Sequence, residues 1–261
     1  MSAMLSDFMS LFADLVGSLA DLLQPVFQAS AMAAAIVLFT ACVRLLVHPL
    51  SRASARGQKA RAKLSPQIAQ LRKKHAKNPE KLQKAILELH AKEKVSPLSG
   101  CLPSLFQLPA FFLLYHLFSS SSIGGEANAL LDHKLFAAPL GGRWADALSD
   151  GGVFGAQGLV YLGLFAIVAA VATFNFLRTK KQMAAAADAP GGAGDPAQQM
   201  PGMAAMTKVM PFMSFMTLFT VAFVPLAAAL YVVTSTTWSA VERAVLYRDM
   251  PYGPGALAAA S

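Results

Sequence analysis

ASAMAAAIVLFTACVRLLVHPL, residues 29–50, carries one charged side chain, Arg44, in an otherwise apolar run. A bilayer core of about 30 Å takes roughly 20 apolar residues per helix. The run therefore reads as a first transmembrane helix, with His48-Pro49 as its expected end. Working outward, residues 101–118 form a second apolar run without any charge, and residues 153–177 a third. Residues 209–246 are apolar again but too long for one span, and Pro225 interrupts them. Proline disfavours the helical conformation in the residue before it. The stretch is therefore divided into a fourth span, 209–224, and a fifth, 225–246. The fold class expected is an all-α membrane protein of five transmembrane helices.

Composition agrees. The chain is 55% hydrophobic and 14% charged, against about 45–50% and about 25% in soluble domains. Its net charge of +8 is unevenly placed. Residues 51–100 hold thirteen Lys/Arg against three Glu, and residues 178–208 hold four against two Asp. Residues 1–28 hold no Lys or Arg, and residues 119–152 hold two against four acids. Lys and Arg accumulate in cytoplasmic loops, which puts the N-terminus outside and the C-terminus inside, with 119–152 an outer loop, 178–208 a cytoplasmic loop and 247–261 a short cytoplasmic tail. Topology thus accounts for the positive charge, and DNA is not expected as a partner.

Residues 51–100 read as a cytoplasmic helical hairpin. Leu64, Ile68, Leu71 and His75 mark one stripe, and Leu82, Ile86 and Leu89 a second. Between them Asn78-Pro79 offers an N-cap followed by proline at the first helical position. Lys-rich outer faces are usually just solvated; attraction to acidic lipid headgroups or ribosomal RNA is the sharper alternative. At the N-terminus, Leu5, Phe8, Met9, Phe12, Leu15, Val16, Leu19, Leu22 and Leu23 recur at helical spacing, with Asp7, Asp14 and Asp21 on the polar side. This predicts an outer amphipathic interfacial helix within residues 1–28, ending near Pro25. Cys42 and Cys101 are read as buried free thiols.

Arg44 stands out because an arginine inside a span costs about 2.5–3.5 kcal/mol on insertion scales. Its guanidinium either snorkels to the inner headgroups or faces inward. Glu242 is the sole carboxylate within the expected spans, so a pair with Arg44 is open. Without that pair Arg44 needs water, and a concavity open to the cytoplasm is implied. Thr40 lies one turn away on the same face. Thr234, Ser235, Thr236, Thr237, Gln107, Tyr115, Asn175 and Tyr231 add further polarity. Met200, Met203, Met206, Met210, Met213 and Met216 share a helical face suited to packing, lipid contact or varied apolar partners.

Several strings read together resemble the YidC/Oxa insertase family. The most specific is VSPLSGCLPSLFQLP, residues 95–109, which is similar to the family pattern NPLxGCLPxLxQxP. LSPQI at 64–68 and KNPEKL at 77–82 resemble its cytoplasmic hairpin, and TACVR at 40–44 with Pro49-Leu50 its first core span. Met210-Pro211, Pro225-Leu226-Ala227 and Leu230-Tyr231 resemble the last two spans more loosely. The resemblance implies a bacterial plasma-membrane, multi-pass insertase or chaperone whose five-helix core encloses a hydrophilic groove. It implies Arg44, Thr40, Tyr231 and Gln107 as groove residues, with Arg44 attracting acidic residues of a nascent protein's tail. Implied partners are nascent membrane proteins and membrane lipids, with a Sec translocon and the ribosome beside them; no cofactor is implied. The tail through Ser261 lacks the long basic extension of many members, so docking of ribosomes through it is not expected, and the large outer domain of some members is not expected either. Ser96 stands where Asn is usual and Val232 where an aromatic is common.

Two other classes compete. An intramembrane hydrolase needs a nucleophile and base, or a metal motif on a span. His48, His75, His90, His116 and His133 are scattered and no Asp lies in a span, so an enzyme is not expected. A small-molecule or ion transporter is the alternative; repeats or midplane ion ligands would mark it, and none is evident in the sequence.

Overall fold

A computed structural model describes residues 3–75, 78–93, 112, 115–123, 126–187 and 209–248. They are mostly helical: α1 Ala3–Phe27, α2 Ala31–Lys74, α3 Pro79–Lys92, α4 Trp144–Ser149, α5 Ala156–Ala187, α6 Met216–Phe223 and α7 Leu226–Leu246. Among the described residues two helical stretches are long and apolar enough to cross a membrane, Met9–Leu64, which passes through a 3-10 turn, and Ala156–Ala184. Most of the second expected span, with the string 95–109, lies outside the described residues; residues 115–119 are helical. The chain forms two compact units, one of Met1–Val47, Phe106–Ala172 and Phe215–Val241, the other of His48–Leu105, Thr173–Ser214 and Glu242–Ser261.

In the first unit α7 is central. Leu226, Ala227, Ala228, Ala229, Leu230, Tyr231, Val232 and Val233 are all buried, so its first two turns are enclosed on every side. Lipid is as apolar as leucine, so helices associate in a bilayer by close packing, which small residues permit. The buried alanines Ala31, Ala33 and Ala35 of α2 and Ala227, Ala228 and Ala229 of α7 serve that purpose. Pro225 breaks the chain as its chemistry demands: Val224 is extended (φ −89°, ψ 157°) and α6 and α7 are separate helices. The freed amides at the start of α7 are capped by the segment before α4, Leu226 N donating to Gly142 O and Ala227 N to Leu140 O, each at 2.9 Å. Tyr161 of α5 donates to the same Gly142 carbonyl at 2.7 Å.

Helix α1 carries three faces. Met9, Val16 and Ala20 are buried, and Phe12 meets Phe39 edge-on at 5.7 Å. Asp14 and Asp21 are exposed. Leu11, Leu15, Leu22 and Val26 form an exposed apolar stripe. The helix runs two residues past Pro25 and ends where Gln28 turns left-handed (φ +46°). A proline in the last turn sacrifices one backbone bond without ending the helix.

Residues 119–152, expected as a loop, contain two short hairpins and α4. Strand β1 (Ser122–Ile123) pairs with β2 (Glu126–Ala127), and β3 (Lys134–Leu135) with β4 (Ala138–Pro139). Buried Asn128 donates its side-chain amide to Leu117 O at 2.8 Å and Ser120 O at 2.9 Å, capping the helical residues 115–119. Trp144 of α4 packs on Tyr161 and Phe165 of α5, with centroids 5.7 and 5.2 Å apart.

The second unit contains the basic segment. Asn78 accepts from Lys81 N at 3.0 Å with Pro79 opening α3, as the sequence predicts. Leu82, Ile86 and Leu89 are half-buried and His90 buried, while Lys81 and Lys84 are exposed. The expected stop at His48-Pro49 is not there: α2 continues through Pro49 and Pro66 to Lys74. Each proline removes one ladder bond, and the helix carries both gaps. Phe176 of α5 meets Phe212 at 5.1 Å. Met213 and Met216 are exposed in and just after a 3-10 segment, Met210–Phe215, where residues three apart eclipse.

Candidate functional site

Arg44 sits on α2 one turn beyond Thr40. Thr40 is 1% exposed, and its hydroxyl donates to Ile36 O at 2.7 Å, within its own helix. Arg44 is half-buried and its Nη2 donates to Ser235 Oγ of α7. Tyr231, one turn before Ser235 and also 1% exposed, faces Arg44 and Ser235 with its hydroxyl and Phe118 with its ring, at 6.1 Å. Of the four residues expected in the groove, Arg44 and Tyr231 both adjoin Ser235, and Thr40 lies on the same face of α2. Gln107 falls outside the described residues.

Ser235 belongs to a run of four hydroxyl residues, 234–237, and the structure distinguishes their roles. Ser235 meets Arg44. Thr236 donates to Val232 O at 2.8 Å, and Ser239 to Ser235 O at 2.9 Å, both within α7. Thr237 Oγ1 and Trp238 Nε1 are buried with no hydrogen-bond partner among the described residues.

Glu242 holds His48, with Nδ1 to Oε1 at 2.5 Å. His48 lies one turn beyond Arg44 on α2. A reading that treats the histidines as scattered passes over it, because the residue that answers it is 194 positions away. Nearby in the same unit, the Arg178 guanidinium lies over the Tyr247 ring, 5.6 Å from its centroid. Burial pushes the Tyr247 phenol above its ordinary 10.0, against the opposing pull of Arg243 and Arg178, with Glu242 adding to the rise.

Cys42 is exposed rather than buried. It lies two residues from Thr40 and Arg44, which turns it away from the face they share. Cys101 is outside the described residues. A separate open cavity of about 540 Å³ is lined in part by Asp14 and Asp21 of α1 together with Asn128 and His133.

A span arginine held by a serine and faced by a tyrosine is a polar patch, and a guanidinium attracts acidic groups by charge and by its planar fork of donors. A sequence model of the 60Kd inner membrane protein family matches residues 22–253. The chain belongs to that family. It is 43% identical over 84 residues to the membrane protein insertase YidC of Clostridium perfringens (strain 13 / Type A), covering 32% of this chain and 35% of that relative. The YidC of Magnetococcus marinus (strain ATCC BAA-1437 / JCM 17883 / MC-1) is 44% identical over 81 residues, 31% of this chain and 15% of the relative. The YidC of Pelagibacter ubique (strain HTCC1062) is also 44% identical over 81 residues, 31% of this chain and 14% of the relative. The matched part thus spans between 14% and 35% of the length of these proteins. Membership of the 60Kd inner membrane protein family, with these YidC relatives, places the chain in the bacterial plasma membrane.

Proposed function

We propose that the chain is a membrane protein insertase, with five spans, N-terminus outside and C-terminus inside. Short hydrophilic tails of nascent membrane proteins pass through a groove centred on Arg44, and their apolar segments then leave sideways into lipid. The observation that carries this reading is the approach of Arg44, Ser235 and Tyr231, with Thr40 one turn away, in a family member whose relatives are named insertases. A polar step inside the bilayer lowers the barrier for a short charged tail, and partitioning of the apolar segment supplies the drive. No cofactor is needed for that step. Nascent chains and lipids are the partners in this reading, with the Sec translocon and ribosome as further ones; the basic segment 51–100 is the part suited to meet them.

The test is insertion of a single-span protein with an acidic N-terminal tail into liposomes holding the purified chain. Wild type should insert it, and Arg44→Ala at matched reconstitution should not. Equal insertion by both would keep the insertase and remove the Arg44 groove. No insertion by wild type would overturn the function.

A further inference from the structure

The hairpin β3–β4 is closed by the two-residue turn Phe136-Ala137, and Phe136 adopts a left-handed backbone (φ +53°). That conformation is strained for a bulky side chain and ordinarily falls to Gly, Asn or Asp. The strain brings the residue no burial: Phe136 is 75% exposed. The hairpin is nonetheless firmly held. Ala138 and Leu140 are fully buried, Leu140 N donates to His133 O at 2.8 Å, and Phe136 N donates to Ser30 Oγ at 3.1 Å. A bulky apolar side chain is thus fixed in the open by a structure that spends strain to hold it there.

Its location says what covers it. Ser30 is the last residue before α2, whose apolar run begins at Ala31. The hairpin tip is therefore pinned at the level where a membrane span starts. Phe27, Val26 and Leu22, immediately before that turn, are also exposed, as are Val37 and Leu38 of α2. Lys134, exposed on the strand leading to the turn, supplies a cation at the same level. A cation beside exposed phenylalanines matches the headgroup-to-acyl boundary of a bilayer.

We propose that Phe136 is a lipid anchor: the hairpin tip enters the leaflet that receives the N-terminal end of α2, beside Leu22, Val26 and Phe27, with Lys134 at the lipid phosphates. The anchor would tie residues 119–152, which cap the start of α7, to the bilayer surface. It rests on the membrane location and not on insertion activity.

Two experiments on the full chain in nanodiscs holding one copy each test it. In wild type, a phospholipid with a photoactivated carbene precursor high in its acyl chain should label the peptide containing residues 134–139 at Phe136. In Phe136→Trp, the emission added over wild type should be blue-shifted, lose most of its intensity to brominated lipid, and resist aqueous iodide. Iodide quenching without bromolipid quenching, or an unlabelled wild-type peptide, would overturn the anchor. Shielding from both quenchers would also overturn it, since another part of the protein would then cover the ring. A chain that does not enter discs at all would break the membrane reading itself, an outcome distinct from these.

Discussion

Arg44 gains its meaning from one neighbour. A guanidinium in a span is costly unless its donors are met, and Ser235, itself uncharged, meets one of them. Interhelical hydrogen bonds measured in bilayers average about 0.6 kcal/mol and reach about 1.7. Ser235→Ala should therefore lower stability by about 0.6–1.7 kcal/mol, and the loss should vanish in an Arg44→Ala background when a double-mutant cycle is run in bicelles. Additive losses would mean the two side chains do not couple. Arg44→Lys keeps the charge but loses the planar fork, so it should retain part of the insertion that Arg44→Ala loses; complete loss would contradict a mainly electrostatic role. Arg44 was legible in the sequence because a charge in an apolar run has no ordinary reason to be there. Its partner was not. Four consecutive hydroxyl residues offer the same chemistry, and the rotation of α7 about its own axis, a tertiary property, selects Ser235.

Among the elements, prolines were read well where they constrain a neighbour and poorly where they only remove a bond. Pro225 forces Val224 out of the helical region, and the break is visible from the dipeptide alone. Pro49 and Pro66 leave gaps in α2 that the rest of a 44-residue helix bridges, so local reading placed a stop where there is none. The hairpins of 119–152 gave no signal at all: strands of two residues are too short for alternation, and Phe136-Ala137 lacks the residues that mark such a turn. Glycines in α5 give a clean test of how tightly the start of that helix is built. A Cβ on Gly158 would stand 2.4 Å from Val153 O and 2.5 Å from Gly152 O, both backbone atoms unable to swing aside. A Cβ on Gly163 would meet nothing within 4 Å. Gly158→Ala should destabilise by about 1–3 kcal/mol, the scale of overpacking. Gly163→Ala should be neutral or gain up to about 1 kcal/mol from helix propensity. Thermal unfolding in detergent reads both, and equal midpoints would show that the turn at 151–155 yields freely.

For the molecule as a whole, charge and length argue together. Residues 209–246 would measure about 57 Å as one unbroken helix, nearly twice a hydrocarbon core of about 30 Å. The break at Val224-Pro225 divides that length into α7, about 32 Å long and able to cross alone, and a shorter apolar segment, Pro211–Phe223. If both segments cross, residues 178–208 and the tail after residue 247 share one side of the membrane, and the number of spans is odd. The Lys/Arg asymmetry then sets which side: thirteen in 51–100 and four in 178–208, against none in 1–28 and two in 119–152. Reporter fusions after residues 92, 150, 195 and 248 should accordingly read inside, outside, inside and inside. A reporter outside at 248 with the other three as expected would leave four spans, and Pro211–Phe223 would have to lie within the membrane without crossing it. That outcome would send Glu242 to the outer side while His48, on the helix that leads to residue 92, stayed inside, and the 2.5 Å pair between them could not survive it.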